Sequence, residues 1–164
     1  MAVSLSVTGR LCALDRRAEA VRFARERAAD LEWRCEDVSY SFPAADVREG
    51  GRTRRVAPFR ASGVVLLPHF ACEPFPLLFA DDEATLLDAY VHEGDDGRKT
   101  FEGGALVNTQ FAGVAVHREI SEFLTDLQRE TGCTFRVDDE TGWYASRDDA
   151  ALERAFAAAW EAVR

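Results

Sequence analysis

Between Val107 and Tyr144 the chain collects side chains that can donate, accept or move protons: Thr109, Gln110, His117, Asp138, Asp139, Glu140 and Tyr144. A neutral imidazole serves as a general base or a metal ligand, and a neighbouring carboxylate orients it. The candidates for such acid–base work are His117 and Glu140, with Glu73 from an earlier segment. Thr109, Gln110, Gly113 and Tyr144 are the candidates for holding a ligand. The competing reading of the same residues is structural. His117 falls between Val116 and Ile120, so it flanks an apolar helical stripe, where a buried histidine satisfied by a neighbour is the ordinary outcome. Asp138-Asp139-Glu140 closes a strand, and adjacent strand residues point to opposite faces, so at most two of the three converge. Asp-Glu-Thr-Gly is also ordinary turn chemistry.

Other chemistry is incomplete. His117 has no second ligand at H-x-x-x-H spacing, and His69-x-x-Cys72-Glu73 is half a metal site, so no metal and no cofactor are assigned. Cys72 as a nucleophile would need His69 or His117 as its base, and Glu73 beside it would raise its pKa. Ser62 and Ser121 lie in no G-x-S-x-G elbow. The turn Phe111-Ala112-Gly113 opens a helix, but a single glycine is a weak anion signal beside the phosphate-binding loops.

The elements that must position these residues follow from periodicity. Ala2 to Thr8 reads as a strand, and Asp15 caps a helix with Val21, Ala24, Ala28 and Leu31 inward. Trp33 to Phe42 is a strand ended by Pro43. Residues 44–62 form an exposed, arginine-rich loop or hairpin, with strand expected from Thr53 to Arg60. Gly63 to His69 and Phe75 to Ala80 are apolar strands; Ala84 to Glu93 is undecided between strand and helix; turns follow at Gly94 to Gly97 and Gly103-Gly104. Ala105 to Gln110 is a strand and Val114 to Thr131 the clearest helix, stopped by Gly132. Cys133 to Val137 is a strand. Ser146 with Asp149 opens a final helix with Leu152, Ala155, Phe156, Ala159, Trp160 and Val163 inward. The expected fold class is α+β: a single domain over 1–164, a mostly antiparallel sheet with about three helices packed on it, ferredoxin-like or a variant.

Composition narrows the function classes. A net charge of −9 repels nucleic-acid phosphate, which sets the cluster Arg52, Arg54, Arg55 and Arg60 apart as a local interaction candidate. Only Phe59 accompanies it, without the aromatic interleaving that single strands stack on, so nucleic acid is not the expected partner. No apolar run reaches the length of a membrane span, and the N-terminus lacks a signal-peptide pattern, so a cytoplasmic location is expected. Cys12, Cys35, Cys72 and Cys133 are scattered and sit in apolar surroundings, which points to free thiols packed as small hydrophobes.

Leu66-Leu67-Pro68-His69, Cys72-Glu73-Pro74-Phe75, Asn108-Thr109-Gln110-Phe111-Ala112-Gly113 with His117, and Asp139-Glu140-Thr141-Gly142-Trp143-Tyr144 together resemble a bacterial protein family of uncharacterised members. That family carries C-E-P, K-T-Q-[YF]-A-G-x-x-x-H and D-E-x-x-[YW]-like segments. Asn108 stands where it has lysine, which removes a cation beside Thr109 and Gln110. The resemblance covers about the last hundred residues and implies a grouping of Gln110, His117 and Glu140, without a mechanism. The sequence therefore favours a small, acidic, cytosolic, non-catalytic module that binds another protein, as immunity proteins and inhibitors of basic toxins do. A small enzyme or ligand-binding domain with a polar cleft around His117 is the alternative. The chain carries no signal for its oligomeric state.

Overall fold

The structure, a computed structural model, describes residues 3–10, 16–49, 52–80, 86–87, 91–93, 99–102 and 105–163. The fold is α+β, with strands paired mainly antiparallel in three sheets. The first sheet positions the candidate site. Its central strand, β1 (Ser4–Arg10), enters between β10 (Ala105–Asn108) and β11 (Thr134–Asp139) and runs antiparallel to both. β10 and β11 therefore point the same way, and α2 (Val114–Thr131) is the crossover between them. Ser4 lies opposite Asn108 and Leu5 opposite Asp139, so the start of β1, the ends of β10 and β11 and the start of α2 meet at one edge.

The second sheet has the order β2-β5-β6-β7, from β2 (Arg34–Phe42), β5 (Phe59–Leu67), β6 (Phe75–Ala80) and β7 (Leu86–Leu87). Every residue of β6 is buried, which accounts for the unbroken apolar run in the sequence. The third sheet joins β3 (Ala45–Glu49), β4 (Arg52–Val56), β8 (Val91–Glu93) and β9 (Lys99–Glu102) in the order β4-β3-β9-β8. Residues 44–62 thus hold the β3–β4 hairpin and the start of β5; Ala84 to Glu93 contributes two short strands. Asp15 and the turns at Gly94 to Gly97 and Gly103-Gly104 lie outside the described residues.

Helix α1 (Arg16–Asp30) buries Ala20, Ala24 and Ala28, small side chains that let it approach closely, while Val21 and Leu31 are only partly covered. It packs against α2, β2 and β5. The main core lies beneath these two helices and draws on the first two sheets, with Leu5, Val7, Leu66, Leu77 and Val107 fully or almost fully buried. Phe123 of α2 is its aromatic centre, 5.3 Å from Trp33 and 6.0 Å from Phe23 between ring centroids, with Phe75 edge-on. Gly132 ends α2 in the left-handed conformation, φ 67°, and its amide donates to the Gln128 carbonyl 3.0 Å away.

The C-terminal elements depart from expectation. Trp143–Ser146 forms a short helix, α3, closed by Arg147 at φ 56°. The last helix, α4 (Asp149–Glu161), is capped not by Ser146 but by Asp148, whose carboxylate accepts from the Ala151 amide at 3.0 Å. A helix cannot pass through the left-handed Arg147, so it starts after it. Leu152, Phe156 and Ala159 are buried with Val3 and Trp143 in a second core cluster, but Trp160 and Val163, expected inside, are exposed. Among the described residues no helix is long and apolar enough to cross a membrane.

Candidate functional site

The edge where β1 begins and β10 and β11 end holds a line of polar side chains. Thr109, just past β10, places its hydroxyl 2.8 Å from His117 Nδ1. His117, in the first turn of α2, presents Nε2 to Asp139 Oδ1 at 3.2 Å and to Thr141 Oγ1 at 3.3 Å. Asp139, the last residue of β11, also accepts from the Thr141 hydroxyl (2.7 Å), the Thr141 amide (2.8 Å) and the Tyr144 amide (2.7 Å). Local sequence builds this arrangement. The Asp-x-Thr-Gly turn bends the chain back over the carboxylate, helped by Gly142 at φ 72°, and Gly113 at φ 96° turns the chain into α2.

Burial raises the Asp139 carboxyl pKa, but hydrogen bonds from His117, Tyr144 and Thr141 outweigh it and hold the group at about 2, below its ordinary 3.8. With Asp139 ionised and the Thr141 hydrogen directed to it, Nε2 must carry a proton. On the other side the Thr109 hydroxyl lies between Nδ1 and the Val3 carbonyl, which is 3.2 Å away. Both ring nitrogens are therefore satisfied in either protonation state of the imidazole.

Because the folded pKa of Asp139 is depressed, its contribution to stability is present above 3.8 and is lost as pH falls toward 2. The shift corresponds to about 2 kcal/mol at most. Urea unfolding midpoints between these two pH values should fall for the wild type, and this component should be absent in Asp139→Asn.

Threonine, histidine and aspartate in a row resemble a hydrolytic triad, with the two imidazole nitrogens exchanged relative to the serine-protease arrangement. Its first two members are closed to solvent. Thr109 and His117 are 0% exposed, and Phe156 of α4 packs edge-on against the imidazole with ring centroids 5.7 Å apart. Gln110 adds a tether: its side-chain amide donates to the Ala159 carbonyl at 3.4 Å. Helix α4 thus closes the crevice at the carboxyl ends of β10 and β11, the place where open α/β units bind ligands.

The remaining candidates disperse. Glu140 turns away from His117 and accepts from the Ser4 amide (3.0 Å) and hydroxyl (2.9 Å) on the outside of the sheet. Glu73 is exposed on the β5–β6 connection, where its amide donates to the Asn108 carbonyl. Tyr144 gives its amide to Asp139, but its hydroxyl accepts from Gln128 beside a separate shallow cavity of about 460 Å³ against the C-terminal half of α2. Gly113 serves the helix turn. Cys72 donates to the carbonyl of His69, not to its ring, and burial first and then Glu73 push its thiol pKa up, which leaves it a poor nucleophile.

Arg52, Arg55 and Arg60 are exposed, and Arg55 pairs with Asp46 at 3.5 Å across the β3–β4 hairpin. The Arg54 side chain and Cys12 lie outside what the structure describes, while Cys35, Cys72 and Cys133 are free thiols. No group of three or more metal-ligating side chains converges among the described residues.

The residues that sequence reasoning passed over are Asp139 as the partner of His117, Thr141, and Phe156 as the cover. The parity of β11 carries the signal for the first: Phe135, Val137 and Asp139 alternate with exposed Thr134, Arg136 and Asp138. Comparison of the chain with protein-family models, with curated proteins and with solved structures gives no match in any of the three.

Proposed function

We propose that this protein works by binding another protein rather than by catalysis, as a small acidic module of the kind that immunity proteins and inhibitors of basic toxins represent, acting in the cytoplasm. The observation that supports this reading is the closure of the Thr109–His117–Asp139 line. The side chains best suited to chemistry are spent on one another and covered by α4. What the same end offers to solvent is an aromatic pair, Phe111 and Trp160, edge-on at 5.8 Å and each about half exposed. Aromatic anchors of this kind dominate protein interfaces. An enzyme would need α4 to lift from the polar line and expose Thr109.

Affinity purification from the native host at physiological salt should recover a partner in stoichiometric amount, with equal yield from wild type and from a His117→Gln variant that remains folded. A hydrolytic turnover present in the wild type and abolished in that variant would overturn the reading.

A further inference from the structure

We infer that the surface formed by Phe111, Trp160 and Val163 is the docking face for a basic protein partner; this rests on the interaction reading above. The three apolar side chains are 50%, 48% and 57% exposed. Phe111 projects from the turn between β10 and α2, and Trp160 and Val163 from the end of α4 beyond the second core cluster. The Gln110–Ala159 hydrogen bond and the Phe111–Trp160 ring contact fix the two segments together, so the surface is preorganised and little ordering entropy is lost on binding.

Its rim is acidic. Glu161 follows Trp160; Glu73 is tied through its amide to Asn108, close before Phe111; Glu140 sits at Ser4, the register partner of Asn108. All three are exposed, and none makes an ion pair among the described residues. An aromatic centre with exposed carboxylates on the segments that meet beside it, on a chain of net charge −9, complements a partner of positive potential and steers its approach. Arg52, Arg55 and Arg60 are exposed on β4 and β5, in the other two sheets, and Arg154 is exposed on α4.

The test places a photo-cross-linking phenylalanine analogue at position 111 or 160, and at position 52 for comparison, in the native host. Cross-linked protein is identified by mass spectrometry and then purified for titration against the unmodified chain. A net-positive protein captured from 111 and 160 is expected. Trp160→Ala should weaken the purified pair at least about 30-fold, and Glu73→Lys with Glu161→Lys should weaken it and flatten its salt dependence, with unchanged circular dichroism. Capture from position 52 alone overturns this surface and leaves the interaction reading standing. A neutral or acidic partner, or a second copy of the chain, overturns the basic-partner chemistry. Absence of any cross-link from all three positions overturns the interaction reading itself.

Discussion

Replacing His117 with alanine should cost the fold about 3 kcal/mol or more, the range expected when a fully buried ring is truncated and its hydrogen-bond partners are left unmade. Three effects add. The ionised Asp139 loses the imidazole N–H while keeping the amides and hydroxyl that hold it in place. The Thr109 hydroxyl, fully buried, loses the 2.8 Å contact to Nδ1. The space vacated beneath Phe156 is apolar on one side and charged on the other, so neither collapse nor a single water fills it well. For a chain of this size the melting temperature should drop by roughly 6–12 °C. Chemical denaturation followed by circular dichroism measures it directly. A histidine serving as a catalytic base would behave differently: turnover would fall while stability changed little. A His117→Ala protein as stable as the wild type would mean that the polar line is not a structural lock.

The same line shows what the sequence carried and what it did not. Helix α2 was legible to its ends, because Gly113 and Gly132 bracket a continuous apolar stripe and both adopt positive φ. The burial of His117 beside that stripe was legible for the same reason. Its partner was not read, although strand parity puts Asp139 on the inner face with Phe135 and Val137. Glu140, on the opposite parity, looked equally good by composition alone. The cap of α4 was misplaced by two residues because Ser146 belongs to α3, a local feature of Trp143–Arg147 that periodicity does not register. Trp160 and Val163 continue the helical spacing of Leu152 and Phe156, yet α4 ends at Glu161, so the same spacing buries the first two while Trp160, next to its last residue, and Val163, beyond it, are exposed. Non-local pairings were illegible altogether: β1 between β10 and β11, and the parallel pair β3–β9, join segments whose contact no local pattern encodes.

Helix α4 links the sealed cluster to the exposed surface. Its inner face, through Phe156 and Ala159, covers His117 and anchors Gln110; its end, through Trp160, presents the aromatic pair. Loosening the polar line should therefore disturb the outer surface through α4, even though Thr109 and His117 are themselves fully buried.

The largest loss of all is expected far from that end, at Gly63. It occupies the middle of β5, paired with Val38 of β2 on one side and Leu78 of β6 on the other. A Cβ added there would stand 2.0 Å from the Leu77 carbonyl oxygen and 3.1 Å from the Leu78 Cα. Those are backbone atoms of the fully buried strand β6, held by its pairing with β5, so no flexible side chain can give way. The neighbouring strands must separate, which breaks ladder hydrogen bonds and opens the core around Val64, Leu66 and Leu77. Gly63→Ala should destabilise the protein by about 3 kcal/mol or more, at the upper end for overpacking. Gly63→Val should prevent soluble folding. Both are checked by soluble yield and urea unfolding. Gly132→Ala is the proper comparison: its added methyl meets nothing within 4 Å, and its penalty comes only from the left-handed φ of 67°. That costs roughly 1 kcal/mol. A Gly63→Ala protein no less stable than Gly132→Ala would show that β5 and β6 do not approach as closely as this register requires.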